Sequence, residues 1–148
     1  MLARNLAQPF PVVELDTNAL EAARLLVERK LPGLIVVDAA GRPQTVLPGS
    51  QVLRFVLPEY VQEDPALARA YDERTADRLC ARLADHPVRK LLPRDRATLP
   101  VVDGGATAIE VAAVMARLHS PLVAVVDRDT LLGAITVAGL LSVLLPPA

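Results

Sequence analysis

Apolar and polar positions follow one arrangement twice along the chain. From Pro11 the sequence has a short β-branched run, a helical pattern, a proline and a second apolar run, and the same order starts again at Pro100. Apolar residues at helical spacing predict a helix, and short apolar runs bounded by turn residues predict strands. Each copy is therefore predicted to fold as strand, helix, strand, strand and helix.

The two copies align at a constant offset of 89 residues, which takes Pro11 to Pro100 and the Val-Val-Asp of 36–38 to that of 125–127. Repeated order of this kind indicates two copies of one supersecondary unit, neither of which buries its apolar surface alone. We predict a first unit at 1–58, a connector at 59–87 and a second unit at 88–148.

Both copies begin their first helix with the same cap. Asn18 and Thr107 stand at N-cap positions, and Glu21 and Glu110 follow three residues later, as in a capping box. The helices are expected to end before the prolines at 32 and 121, because proline disfavours helical geometry in the residue before it. The other predicted elements are strands at 34–37, 44–47, 122–126 and 131–135, and helices at 51–57 and 137–145.

The first helix of the second copy is unusually apolar. Glu110 and Arg117 share one narrow polar edge, and apolar residues occupy almost all of the rest of the helical wheel. A helix with this distribution is expected to be buried on most sides.

The segment between the copies has a different composition. Residues 64–87 contain alanine, leucine and charged residues without a strand pattern, so we predict helix with a break near 72–75. Two interpretations stay open at this stage: a connector helix docked on the rest of the protein, or an element that binds a partner.

Composition narrows the possible partners. The 148 residues are 52% hydrophobic, which is enough to form a buried core. Their formal charge of −1 is not the positive charge expected of a nucleic-acid binder. The longest apolar stretches are far shorter than the roughly 20 residues of a membrane span, and the N-terminus does not resemble a signal peptide. We expect a cytoplasmic protein that does not bind nucleic acid and has no membrane span.

Catalytic or metal-binding groups are sparse. Cys80 is the only cysteine, and His86 and His119 are the only histidines, so no multi-thiolate or metal-ligand spacing is available. The serines lack the Gly-x-Ser-x-Gly elbow of hydrolases. His119 is interpreted as a charge partner of a helix C-terminus rather than as a ligand. We therefore expect a protein that is not an enzyme.

Each copy closes with a strand followed directly by a helix, and in the second copy this junction reads LGAITVAGLL at 132–141. Two units of this kind, with the lead-in VRKLLP at 88–93 and a weaker counterpart ARNL at 3–6, resemble a tandem pair of cystathionine β-synthase (CBS) domains, or Bateman module. The resemblance implies an α/β (α+β) fold in which two pseudo-symmetric β-α-β-β-α units pack as one disc. It also implies two clefts, in which many family members bind adenosine-containing ligands.

The family's nucleotide pattern is G-h-x-[ST]-x-x-[DN], whose hydroxyl reaches phosphate or ribose and whose acid holds ribose. A helix N-terminus suits this task because its unpaired amides favour an anion. In the second unit the glycine and hydroxyl match and the acid is replaced; the three positions are Gly133, Thr136 and Gly139. In the first unit all three are replaced, by Thr45, Pro48 and Gln51, so this cleft is predicted to be degenerate.

Thr136 has two compatible interpretations: an N-cap of the last helix, or a ligand contact. The ligand-binding residues that the resemblance implies are Leu99, Pro100, Val101, Leu122, Val123, Ala134, Ile135, Thr136 and Gly139. A basic run beside the second lead-in, Arg89, Lys90, Arg94 and Arg96, is either a solvated loop or a partner for a ligand's phosphates.

The sequence thus predicts a regulatory module that binds AMP, ADP, ATP, S-adenosylmethionine or a related ligand in one cleft and signals to a separate effector protein. A ligand-free dimerisation scaffold is the alternative. In either case we predict a homodimer through the second helices of the two units, at 51–57 and 137–145, together with the helix at 109–118.

Overall fold

The computed structural model describes residues 1–93 and 99–148. Two three-stranded sheets contain β1 (Val12–Glu14), β2 (Gly33–Val37) and β3 (Pro43–Pro48), and β4 (Val101–Asp103), β5 (Leu122–Asp127) and β6 (Thr130–Thr136). The α-helices are α1 (Ala3–Leu6), α2 (Ala19–Arg29), α3 (Gly49–Val56), α4 (Glu59–Glu63), α5 (Glu73–Ala81), α6 (Ala108–Leu118) and α7 (Val137–Leu144). Short 3-10 turns cover Pro65–Ala70, Arg82–Asp85 and Val88–Lys90.

The two sheets have the same topology. In each sheet the first strand pairs in parallel with the second, and the second pairs antiparallel with the third. The ladders even share an irregularity, after Val36 in one sheet and after Val125 in the other. Since these positions are 89 residues apart, the predicted repeat and the mixed α/β fold are confirmed.

The predicted N-caps of α2 and α6 are confirmed by local contacts, although among the described residues the Glu21 and Glu110 side chains do not return the bond of a capping box. The Asn18 side chain accepts hydrogen bonds from the amides of Leu20 and Glu21, at 3.0 and 3.3 Å, and Thr107 Oγ1 accepts from the Glu110 amide at 3.2 Å. The helices end where Lys30 and His119 adopt left-handed conformations, with φ of 53° and 51°. These left-handed C-caps redirect the backbone into the proline that precedes β2 in the first unit and β5 in the second.

The sheets pack against each other through a shared apolar cluster. The first sheet contributes Ile35, Val37 and Val46, and the second contributes Leu122, Ala124 and Ala134. Each sheet buries its other face under its own helices, which explains why all five residues of β2 are buried. As a result, the strand-to-helix junction of one unit lies beside the other unit.

The two lead-ins are exchanged between the units. The amide of Val88 donates to the carbonyl of Thr17 at 2.7 Å, and at the equivalent place the amide of Ala3 donates to the carbonyl of Ala106 at 2.8 Å. Both Val88 and Ala3 are fully buried. The lead-in of the second unit therefore completes the core of the first, and the N-terminal lead-in completes the second.

The connector is helical, as predicted, with its break at Tyr71 and Asp72. Both of its ends dock on the first unit: Val61 and Leu83 are buried, and the Asn18 side-chain amide donates to the Ala84 carbonyl at 2.8 Å. Helix α5 between them has no buried residue. The docked interpretation thus describes the ends of the connector, while α5 is exposed.

The expectation that α6 is buried on most sides is wrong within a single chain. Only Ala108, Val111 and Met115 are buried, and Ile109 is 67% exposed. Helix α7 buries Leu140 alone. The reason is that α6 and α7 lie on the sheet as an outer layer, so their apolar outer faces meet solvent.

Candidate functional site

The junction of β6 and α7 in the second unit is shaped by the N-terminal segment. Gln8 forms a two-way bridge with Ala134, in which each amide donates to the other's carbonyl at 2.9 Å. Gly133 has a φ of +150°, and a Cβ at this position would overlap the Gln8 carbonyl. The glycine of the sequence pattern is therefore needed here because the backbone of Gln8 approaches so closely.

Thr136 is the N-cap of α7, which confirms one of its two predicted roles. Its Oγ1 accepts a hydrogen bond from the Gly139 amide at 3.0 Å. A hydroxyl can also donate one hydrogen bond, and among the described residues no acceptor takes it. The Thr136 hydroxyl can therefore cap the helix and still donate to a ligand oxygen, and the ligand contact stays a prediction.

The structure separates the other predicted ligand-binding residues. Leu122 and Ala134 belong to the cluster between the sheets, whereas Val123 and Ile135 face the core under α6 and α7. All four are at most 2% exposed, so a ligand could reach them only through the backbone or after a rearrangement. Leu99 is 39% exposed, and Val101 packs against the cluster between the sheets.

Pro100 lies elsewhere, in a cavity of about 390 Å³ at the junction of β3 and α3 in the first unit. This cavity contains all three positions that the sequence pattern marked as degenerate. Its lining residues are Thr45, Val46, Pro48, Ser50, Gln51, Arg54, Pro93, Pro100, Leu118, His119 and Ser120. The resemblance predicted a cleft here but placed Pro100 in the other cleft. The lining could not be predicted from neighbouring residues because five of these residues come from the part of the chain after residue 92, including the turn between α6 and β5.

The cavity wall is held by bonds to the second lead-in. The Gln51 side-chain amide donates to the Leu91 carbonyl at 2.9 Å, which leaves its own carbonyl oxygen available to accept. Pro48 is the N-cap of α3 but offers no side-chain hydrogen bond. The first turn of α3 therefore lacks the side-chain cap that Thr136 gives to α7.

The structure describes only half of the basic run. Arg89 forms an ion pair with Asp16 on the surface of the first unit, and Lys90 is exposed. Arg94 and Arg96 lie outside the described residues. Arg54, which sequence analysis did not single out, is the arginine that lines the cavity among the residues that the structure describes.

The two histidines and the cysteine do not come together in a common site. The His86 ring packs edge-on against Phe55 with ring centroids 5.2 Å apart, and His119 forms the C-cap of α6. Cys80 is exposed. Across residues 1–93 and 99–148, no three His, Cys, Asp or Glu side chains come together as a metal site, and no helix has the length and apolarity to cross a bilayer.

Comparisons with known proteins agree with this geometry. The family model described as CBS domain matches residues 3–48. A CBS domain-containing protein of unknown function from Kribbella flavida is 55% identical, with 97% of each chain covered and a TM-score of 0.79. No curated protein matches the chain.

Two further solved structures share the fold at lower identity. The CBS domain of a membrane protein from Sphaerobacter thermophilus is 22% identical, with a TM-score of 0.71 over 98% of this chain and 88% of that one. CBSX2 in complex with AMP is 20% identical, with a TM-score of 0.67 over 96% of this chain and 94% of that one. At these identities the likeness extends to the fold alone.

Proposed function

We propose, since this chain belongs to the CBS domain-containing proteins, that it is a non-enzymatic regulatory module. In this proposal it binds an adenine nucleotide, or a related adenosine ligand such as S-adenosylmethionine, and passes its occupancy to a separate effector protein. The ligand would contact the second-unit junction through Thr136, with Leu122 beside it, and it would reach the strand edge at Ala134 only by displacing Gln8. Cytoplasmic localisation is part of the same proposal.

The observation that carries the proposal is the Thr136 hydroxyl. It stands at the N-terminus of α7, two residues after Ala134, which pairs with Gln8, and no acceptor in the described part of the chain takes its hydrogen. A helix N-terminus favours an anionic group such as phosphate. The complex of CBSX2 with AMP adds a precedent for this kind of ligand on the same fold.

A ligand regulates only if it binds two conformations with different affinities. The exchanged lead-ins offer a physical route for such a difference. Gln8 bridges Ala134 at the proposed site, and Ala3 of the same segment is buried in the second unit's core. A ligand that alters the position of Gln8 would therefore alter how the N-terminal lead-in packs.

A thermal-shift panel of AMP, ADP, ATP, adenosine and S-adenosylmethionine tests this function. A ligand that binds only the native state stabilises it by about 2.7 kcal/mol at a hundredfold excess over its Kd. We expect at least one member of the panel to raise the Tm in a concentration-dependent way. If none does at millimolar concentration, the adenosine-ligand proposal is wrong.

The second candidate function is a ligand-free dimerisation scaffold, which the outer faces of α6 and α7 favour. Val137, Leu141, Val143 and Leu144 are all 37–45% exposed, and α7 has no charged residue. Contiguous exposed apolar surface of this kind marks interaction sites. In both candidate functions we propose a homodimer formed through this surface.

A further inference from the structure

The N-terminal segment crosses the outer edge of the second sheet as a short strap, residues 7–10. Strand β6 is at the edge of its sheet, and an edge strand presents backbone amides and carbonyls that lack partners in the sheet. At Ala134 the partner is Gln8, which bonds both groups through two hydrogen bonds of 2.9 Å. The strap therefore covers the part of β6 that lies two residues before Thr136.

Gln8 supplies the backbone hydrogen bonds between this strap and the second sheet. Pro9 and Pro11 have no amide hydrogen, and in the described part of the chain the Phe10 amide donates no hydrogen bond. Gln8 and Pro9 are also exposed to solvent. Segments with few bonds and much exposed backbone open locally at a much smaller free energy than global unfolding requires.

The two ends of the strap are anchored by contacts that do not involve Gln8. On one side Ala3 is fully buried in the core of the second unit, and its amide donates to the Ala106 carbonyl at 2.8 Å. On the other side Phe10 packs against the apolar cluster between the sheets. Because both anchors are independent of the Gln8 bridge, the strap can leave Ala134 while both units stay folded.

Gln8 presents to Ala134 the same kinds of group that an adenine base presents. The Gln8 backbone contributes one amide donor and one carbonyl acceptor, and an edge of adenine carries the 6-amino donor and a ring-nitrogen acceptor. Two residues along a strand span about 6.6 Å, so a nucleotide with its base at Ala134 can place its phosphate near Thr136. The base and Gln8 would therefore compete for the same backbone groups.

We propose that residues 7–10 form an autoinhibitory strap, in which Gln8 occupies the position of the base on β6 and an adenosine ligand binds at Ala134 only when the strap is displaced. This inference rests on the function proposed above and specifies how its site is regulated. The apparent Kd then equals the intrinsic Kd divided by the fraction of molecules whose strap is open. A substitution that weakens the strap therefore tightens ligand binding, although it removes a contact of the folded protein.

Amide hydrogen exchange followed by NMR tests the displacement, with AMP, adenosine and ribose 5-phosphate as probes. In the free protein the Gln8 amide should exchange through local opening, faster than the Ala3 amide. Saturation with AMP or adenosine should increase the exchange rate of the Gln8 amide at least about fivefold, as expected for the loss of one hydrogen bond, and leave Ala3 protected. Ribose 5-phosphate lacks the base and should leave exchange at Gln8 unchanged.

Gln8→Pro removes the amide that donates to Ala134, and Ala7 already has the extended backbone, with ψ of 132°, that a following proline favours. This variant should bind AMP about fivefold more tightly than the wild type in calorimetry. Pro9→Gly keeps both hydrogen bonds but gives the open strap more conformational freedom, so it should tighten AMP binding by a smaller factor. Pro65→Gly, on an exposed turn of the connector, is the matched control and should bind AMP like the wild type. Unfolding curves verify that each variant is folded.

The strap and the proposed function fail with different results. AMP binding without faster exchange at Gln8, or with unchanged affinity in both strap variants, would overturn the strap and leave the function standing. Equal exposure of the Gln8 amide by ribose 5-phosphate and AMP would show that the base does not replace Gln8, and would also overturn it. AMP binding to Gln8→Pro alone would support the strap, whereas no binding of any probe to either protein would overturn both proposals.

Discussion

Replacing Thr136 by valine separates the two roles of its hydroxyl. Valine keeps the branched shape and removes the oxygen that accepts the Gly139 amide at 3.0 Å. The loss of an N-cap should lower the free energy of unfolding by about 1 kcal/mol, within a range of roughly 0.5–2 kcal/mol. For a protein of this length, each 1 kcal/mol corresponds to a decrease in Tm of roughly 2–4 °C.

The chain offers a matched control for this experiment. Thr107 caps α6 in the same way, with its Oγ1 3.2 Å from the Glu110 amide, but it lies outside the proposed ligand site. Thr107→Val should therefore lose a similar amount of stability without a change in affinity for nucleotide. Thr136→Ser retains the hydroxyl and should restore most of both properties.

The binding assay is calorimetry with whichever adenosine ligand stabilises the wild type. If the Thr136 hydroxyl donates to the ligand, Thr136→Val should lose about 1 kcal/mol of binding free energy or more, which is several-fold in Kd. Wild-type affinity in a Thr136→Val variant that melts earlier would refute the ligand contact and leave only the cap. Unchanged stability in both valine variants would refute the capping argument itself.

Three other perturbations test the fold, the assembly and a loop. Gly133→Ala should lower the free energy of unfolding by about 3 kcal/mol or more and expose the Gln8 amide to hydrogen exchange. The reason is that the alanine Cβ would lie 2.9 Å from the Gln8 carbonyl carbon, at a φ of +150°. A variant that unfolds at the same urea concentration as the wild type would contradict this prediction. Leu141→Lys places a charge on the proposed dimer surface, at a position that is 45% exposed in the single chain, so sedimentation should show a shift from dimer to monomer. A wild-type protein that sediments as a monomer at micromolar concentration would exclude the homodimer. The pKa of Asp38 lies below its ordinary 3.8 because the carboxylate accepts a hydrogen bond from the Arg42 amide, and further bonds from the Arg42 guanidinium and the Ala40 amide. The ionised carboxylate therefore stabilises the fold above pH 3.8, and this stabilisation is lost as the pH falls through the folded-state pKa. Asp38→Asn should thus be less stable than wild type at pH 7, with a difference that shrinks below about pH 3.8, and a difference independent of pH would contradict this account.

Local features of the sequence were sufficient to predict the repeated unit. Asn18 and Thr107 cap their helices through amides two or three residues away, and the β-branched runs that follow each proline form the central strands. Capping, proline geometry and strand patterning act over a few residues, so they can be identified from the chain alone. The N-cap role of Thr136 belongs to this class, because its partner is Gly139.

The cavity and the exchanged lead-ins depend on contacts between distant residues. Nothing near Ala3 in the sequence indicates that its amide bonds to Ala106, and nothing near Gln51 indicates that Pro100 lies across a cavity from it. The pattern positions at 45, 48 and 51 predict a degenerate cleft from their side chains alone, whereas the volume of the cavity there is set by the packing of the two units.

The sequence by itself established two mixed α/β units and the caps and turns inside each, because those features follow from the conformational preferences of neighbouring residues. Folding of the whole chain established which unit each lead-in completes, which junction retains an open cavity, and which apolar helix faces stay uncovered. Burial and cavity shape are properties of surfaces brought together from both halves of the chain, and their energies arise only when those surfaces meet.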